Sequence, residues 1–286
     1  MELNFDTKIL IVGLGLLGGS YARALTKKGY HVNAIEIRES AISFAKEQGF
    51  IEHGCTTPTR DIVGEADLII FALYPHTLFD WVEEYGSFIK DGTVVTDVTG
   101  VKGSVVNRVQ SSLPEGVEFI SAHPMAGREC GGVENSDDGI FKGANYIVVP
   151  TERNSQGAID LCAKLGEELG FARIAYLTPQ EHDEMVGFVS QLTHCIAITL
   201  MTCNQTEHLE DYTGDSFRDL TRIARINDEM WSELFLLNRE VLVSQIDIFA
   251  EELATLRGYL EHGDRDALRE MMQVSTRRRA LFDKKK

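Results

Sequence analysis

The chain has 286 residues, 43% hydrophobic and 25% charged, an ordinary globular composition long enough to bury two separate cores. Its formal net charge of −16 excludes nucleic acid and anionic membrane as partners, because both demand a cationic surface. No apolar run approaches the roughly 20 residues of a membrane span. The opening MELNFDTKILIVG lacks the basic region and separate apolar core of a signal peptide. Five cysteines, Cys55, Cys130, Cys162, Cys195 and Cys203, are widely spaced without a CxxC. They suggest neither a disulfide framework nor a metal site, and the expected compartment is a reducing cytosol. The basic end RRRALFDKKK reads as a solvated helix end.

In chain order, Lys8 to Val12 is a short apolar strand that ends at Gly13. A GxGxxG follows (Gly13, Gly15 and Gly18, with Leu16 and Leu17 between), then a helix from Tyr21 and a second strand, His31 to Glu36. That strand–turn–helix–strand context makes the motif a dinucleotide-binding turn. Gly13 permits the tight turn, Gly15 the approach of a pyrophosphate, and Gly18 close helix–strand packing. The backbone N–H groups that open the helix, at Leu16 and Leu17, face the phosphates. Glu36 is placed to accept hydrogen bonds from an adenosine ribose, which favours NAD over NADP; Arg38 could offset part of its repulsion of a 2′-phosphate.

Asp67 to Leu73 is a near-continuous apolar run, as expected of a buried parallel strand. It delivers Leu73 and the turn Tyr74-Pro75-His76 to the cofactor edge of the sheet. Thr93 to Asp97 is the next strand, and runs near 119, 145 to 149 and 172 to 176 complete the expected sheet. The run at 119 leads into His123-Pro124-Met125-Ala126-Gly127. Pro124 holds the residue before it in the extended region, so His123 stands at a strand end facing the crevice. By spacing alone it is either a satisfied loop histidine or a proton acceptor.

At 178 the pattern changes. Thr178-Pro179-Gln180-Glu181 carries a helix cap, a first-turn proline and a capping-box glutamate. From there to about 282 the chain is helical in pattern and free of proline. The expected fold is thus α/β: a Rossmann-type domain over 1–177, then an all-α substrate-binding and dimerisation domain over 178–286. The helices offer more apolar surface than one small bundle covers, so a homodimer through this region is expected.

Taken together, Asp97 to Lys102, the HPMAG loop, Ser190-Gln191-Leu192-Thr193-His194, and FRDLTRIA (217–224) followed by Met230-Trp231 resemble the prephenate/arogenate dehydrogenase family. The resemblance runs from Lys8 to about 240. It implies an NAD-dependent oxidative decarboxylation of prephenate to 4-hydroxyphenylpyruvate in tyrosine biosynthesis, by a cytoplasmic enzyme whose partner is that small substrate. It also implies His123 as the base, Arg222 and His194 as substrate ligands, and Glu129 and Asp219 as acidic partners of Arg222. Read as one helix, 217–224 puts Arg218 and Arg222 on one face, with a surface ion-pair face including Asp215 and Asp219 as the alternative.

Two departures stand out. Family members commonly carry serine where this chain has Gly100, so Thr99 or a water is expected to supply the hydroxyl. Gln191 replaces a family histidine, which opens the choice between prephenate and arogenate. No further regulatory domain is expected after the helices, and feedback by tyrosine would then be expected to act at the active site. Less favoured readings are a 3-hydroxyacid dehydrogenase or imine reductase, and a non-catalytic NAD(H)-binding regulator.

Overall fold

The computed structural model describes residues 2–282; the end of the basic tail, 283–286, lies outside the described residues. It separates into two compact units, Met1–Arg239 and Glu240–Lys286. The helices that follow 178 therefore belong, as far as Arg239, to the same unit as the nucleotide-binding sheet.

Six parallel strands form that sheet: β1 (Lys8–Val12), β2 (His31–Ile35), β3 (Gly54–Cys55), β4 (Leu68–Phe71), β5 (Val94–Asp97) and β6 (Glu118–Phe119), in the order β3-β2-β1-β4-β5-β6. The central strand β4, Leu-Ile-Ile-Phe, is apolar and buried at every position because both faces are covered. Along β1, Ile9 and Ile11 pack with Tyr21 and Leu25 of α1 (Leu16–Lys27), whereas Leu10 and Val12 pack with the cluster of Phe71, Trp81 and Val95. Alternate residues point to opposite faces, so one short strand feeds two cores. Each fully buried side chain of this size contributes about 1.5–3 kcal/mol. Strand order reverses at β1, between β2 and β4, and the crevice beyond the carboxyl ends of β1 and β4 is where such sheets hold ligands.

The expectation of one sheet is corrected. After Ile120 the chain leaves β6 and enters a separate three-stranded sheet, β7 (Ser121–Pro124), β8 (Asn145–Val149) and β9 (Arg173–Tyr176). β7 runs antiparallel to β8, and β8 parallel to β9. His123 therefore sits on a strand that begins next to the first sheet but is registered by the second.

Helix α2 (Glu39–Glu47), α3 (Arg60–Glu65), α4 (Pro75–Tyr85), α5 (Val106–Ser112) and α6 (Gln156–Leu169) complete the α/β part. Helix α7 (Pro179–Val186) starts at the capping box: Thr178 Oγ1 accepts the Glu181 N–H at 3.2 Å, and Glu181 Oε2 accepts the Thr178 N–H at 2.8 Å. Such a cap stabilises a helix by about 1 kcal/mol. A π-turn, Gly187–Leu192, then leads into α8 (Thr193–Thr202). This continuous run, Pro179–Thr202, is long and apolar enough by length and composition to cross a membrane, which corrects the expectation that no stretch approaches that length. Its first turns nonetheless bury His182 and Asp183 in the site described below.

Three further helices follow: α9 (Asp215–Thr221), α10 (Asp228–Leu237) and α11 (Arg239–His262). Within the second unit, α11 continues to Gly263, whose φ of +66° makes the turn. Helix α12 (Arg265–Arg279) then starts from the Asp264 cap.

Candidate active site

The glycine turn between β1 and α1 is built to receive a dinucleotide. Gly13 has φ +96°, and a Cβ there would meet Ala72 O at 2.6 Å and Leu73 Cδ2 at 2.9 Å. A Cβ on Gly18 would run into the Gly13 carbonyl, so helix and turn are in direct contact. Gly15, by contrast, faces open space. As the N-cap of α1 it has no side-chain acceptor, which leaves the N–H groups of the first turn, Leu16 and Leu17 among them, for an anion.

Glu36 lies just beyond β2 and is buried. Its Oε2 accepts the Leu14 N–H at 2.8 Å, and its Oε1 accepts the Arg38 N–H at 3.1 Å and Arg38 Nε at 2.9 Å. Arg38 also donates from Nη2 to Leu14 O at 3.2 Å. The carboxylate is thus fixed against the turn by its own neighbour, and only part of its acceptor capacity remains for a ribose. Leu73 stands against Gly13.

His123 is aimed by a buried ion pair. Asp97 and Lys102, both 0% exposed, meet at 2.8 Å between Oδ2 and Nζ. Asp97 Oδ1 also accepts Ser121 Oγ–H at 2.5 Å and the Ala122 N–H at 3.2 Å, and Lys102 Nζ donates to Ala122 O at 2.7 Å. These bonds grip β7 on both sides of Ala122, one residue before the imidazole. Burial pulls the Lys102 pKa down, and the Asp97 carboxylate offsets part of that pull.

The imidazole itself belongs to a relay that the sequence did not disclose. His123 Nδ1 lies 2.8 Å from His182 Nε2, and His182 Nδ1 lies 2.8 Å from Asp183 Oδ1. Asp183 further accepts the Lys102 N–H at 2.8 Å and the Gly103 N–H at 2.7 Å. A carboxylate so placed keeps the His182 proton on Nδ1, so Nε2 accepts from His123 Nδ1–H. The free lone pair of His123 is then on Nε2. Burial lowers the pKa of both imidazoles, His123 well below the usual 6.5, with His182 and Lys102 adding to the effect on His123. The resting pair is neutral. The only sequence signal for His182 and Asp183 was their place in the first turns of a well-capped helix.

The residues expected around the substrate divide. His194 Nδ1–H donates to Ser190 O at 2.9 Å, and the ring stacks on Trp231 at 3.7 Å between centroids, a contact no motif foretold. Burial lowers its pKa; the charges of Glu129, which raises it, and Arg222, which lowers it, both reach it. Arg222 pairs through Nη1 with Glu129.

Four expectations are corrected. Asp219 is exposed and, among the described residues, makes no ion pair, because Arg222 is turned to Glu129. Arg218 pairs instead with Asp215 at 2.7 Å as an exposed ion pair; α9 ends at Thr221 and Arg222 begins a 3-10 turn, so the two arginines do not share a regular helical face. Gln191 is 1% exposed: its Oε1 accepts from Asn238 Nδ2 at 2.8 Å and its Nε2 donates to Leu234 O at 3.4 Å. Its amide is spent on bracing α10 and its C-cap. Thr99 does not replace the missing serine. Its hydroxyl is buried against Asp97, Val101 O and Lys102 Nζ, and so belongs to the support beneath His123. At Gly100 itself a side chain would find ordinary contacts, Leu234 Cδ1 at 3.5 Å and His123 Cε1 at 3.8 Å.

Two family descriptions match the chain: prephenate dehydrogenase, nucleotide-binding domain, over residues 21–176, and prephenate dehydrogenase, dimerization domain, over 178–274. A prephenate dehydrogenase of Bacillus subtilis is 30% identical over 91% of this chain and 72% of its own length. A cyclohexadienyl dehydrogenase of Zymomonas mobilis is 28% identical over 95% of this chain and 94% of its own. Among solved structures, prephenate dehydrogenase of Aquifex aeolicus in complex with hydroxyphenyl propionate and NAD+ superposes with a TM-score of 0.91 at 29% identity, covering 99% of this chain and 100% of that one.

Proposed function

The chain belongs to the prephenate dehydrogenase family, and on that premise we propose that it oxidises and decarboxylates prephenate to 4-hydroxyphenylpyruvate with NAD+. The observation that carries this reading is the Asp183–His182–His123 relay, which leaves a neutral imidazole with its lone pair on Nε2 at the end of β7. NAD+, when bound, supplies the hydride acceptor. The glycine turn fits that group: open space at Gly15, a close approach at Gly18 and an acidic Glu36 beside the turn. Glu36 repels a 2′-phosphate, which supports NAD over NADP.

The protein's own contribution is orientation and one proton transfer. His123 Nε2 takes the proton of the ring hydroxyl, and His182 and Asp183 hold the ring in the tautomer that can do so. Loss of CO₂ makes the ring aromatic, so the driving force resides in the substrate. Arg222 grips a substrate carboxylate with its planar fork, exchanging it for Glu129 or sharing the guanidinium with it. We assign residues 1–177 to coenzyme binding and 178–286 to substrate binding and to dimerisation of two copies, in a cytoplasmic enzyme. Among the described residues all five cysteines are free, two of them exposed, which supports a reducing compartment.

One observation favours a second substrate. His194 gives its Nδ1–H to Ser190, so the neutral ring offers only an acceptor at Nε2, within electrostatic reach of Glu129. An acceptor beside a carboxylate suits the ammonium group of arogenate. Purified protein assayed with prephenate and with arogenate, each with NAD+ and NADP+, decides between them. A kcat/KM at least tenfold higher for arogenate would reverse the choice, and no coenzyme reduction with either substrate would remove both readings.

A further inference from the structure

Helix α10, which the chemistry above uses only through Trp231, is fastened to the site at four points. Its N-cap Asn227 donates from Nδ2 to Tyr74 Oη at 3.1 Å. Trp231 stacks on His194. Glu233 Oε1 accepts the His76 N–H at 2.6 Å and lies 2.6 Å from His76 Nδ1. Leu234 is buried in the cluster that contains Val12 and Phe71, and is the nearest neighbour a side chain at Gly100 would meet. Two of the four fastenings, at Tyr74 and His76, fall on the N-cap and in the first turn of α4, where the helix is entered by the short turn from β4. That turn begins at Leu73, whose side chain stands against Gly13. A helix that touches a substrate-side histidine thus also holds the segment that abuts the dinucleotide turn.

The Glu233 side chain is only 13% exposed although His76 is 62% exposed. A partly buried carboxylate loses hydration, which is offset here because one oxygen takes both a backbone N–H in the first turn of α4 and an imidazole N–H. Charge-assisted bonds of this kind are the stronger ones, and the helix N-terminus adds to the attraction. Neither residue is a hydrogen-bond partner of His123, His182 or Asp183.

We propose that Glu233 and His76 are positioning residues for the coenzyme. Through them α10 clamps the segment 73–76, the entry into α4, against the glycine turn, so that dinucleotide affinity is set in part from the substrate side of the site. The inference rests on the dinucleotide reading given above but not on the identity of the substrate.

The test compares the full chain with Glu233→Ala, Glu233→Gln and His76→Ala. Dissociation constants for NADH and NADPH are read by fluorescence titration, beside kcat, both KM values and the melting temperature. For whichever coenzyme the unmodified protein prefers, Glu233→Ala is expected to weaken binding about tenfold, the loss of one charge-assisted contact. His76→Ala, which keeps the backbone bond, weakens it less. Glu233→Gln, whose amide oxygen still accepts from both donors, restores most of it. At saturating coenzyme, kcat and the KM for prephenate shift less than about twofold. Coenzyme affinity within twofold of normal in Glu233→Ala overturns the proposal. So does a loss matched by an equal rise in the KM for prephenate, because general loosening would then explain both. Should the unmodified protein bind coenzyme yet reduce none with prephenate, the functional reading fails while the titrations still decide the clamp.

Discussion

At the scale of single residues, the site works by keeping an imidazole unprotonated and aimed. His123→Asn keeps the volume but has no lone pair on a basic nitrogen, so kcat is expected to fall by about 10²–10⁴, with NADH binding unchanged; a smaller loss in steady-state assays would move the base elsewhere. Burial holds the pKa of His123 well below 6.5, and that of His182 below it. kcat/KM therefore stays level as the pH falls through neutrality and declines only well below 6.5. Folding follows the same sign. The unfolded chain binds protons at these histidines before the folded chain does, so their cost to stability is absent above about 6.5 and grows as the pH falls from there toward the folded values. Denaturant titrations at stepped pH should show a shallower slope in that window for His182→Asn than for the unmodified chain, and equal slopes would contradict the assignment. Beneath the imidazole, Lys102→Met leaves the Asp97 carboxylate buried without its cation. Breaking a buried pair in this way costs about 3–5 kcal/mol, and a loss of under 1 kcal/mol in chemical denaturation would show that the pair does not hold β7.

At the scale of elements, what was legible in the sequence is what local rules dictate. The continuous apolar runs of β1 and β4, the glycine turn and the Thr178 capping box each announce themselves within a few residues. What stayed hidden depends on pairing across the chain. The strands at 121–124, 145–149 and 173–176 read like the others, but whether they extend the first sheet or form a second is decided by β7 turning antiparallel to β8. His182 lies 59 residues from His123 and meets it only once α7 has packed. The π-turn at Gly187–Leu192 shifts the helical register, so Gln191, which the resemblance set in the place of a family histidine, turns into the core while His194 reaches Trp231. The break of α9 at Thr221 had a similar effect on the arginines. It sends Arg222 to the loop that carries Glu129 and leaves Arg218 on the surface. Arg222→Gln is accordingly expected to raise the KM for prephenate by tenfold or more while kcat changes little, and Arg218→Gln to change both by less than about twofold. An unchanged KM in the first variant would return Arg222 to the surface-pair reading.

For the whole molecule, the open question is what covers α11. In the second unit Val243, Ile246, Phe249, Leu253 and Leu260 recur at spacings near three, four and seven, with exposures of 50%, 39%, 39%, 55% and 63%. A helix that is apolar on this scale is not solvated by choice, and residues 178–274 match a dimerization domain. Opposing the association is the net charge of −16 on each copy. That repulsion is spread over the surface and screened beyond about 8 Å at physiological salt. Burial of even half of these side chains, at about 1.5–3 kcal/mol each when complete, acts at contact distance and outweighs it. The dimer is therefore expected to persist at physiological salt and to loosen as salt is removed, the reverse of an interface held by ion pairs. Leu253→Glu sets a carboxylate in the middle of the stripe, and Phe249→Glu does so one turn earlier. In sedimentation velocity at micromolar concentration each should convert the dimer to a monomer whose circular dichroism is unchanged, whereas Thr255→Ala, exposed on the opposite face of the same helix, should leave the dimer intact. If both glutamate variants sediment as dimers, the two copies meet through some other surface, and the stripe on α11 serves another purpose.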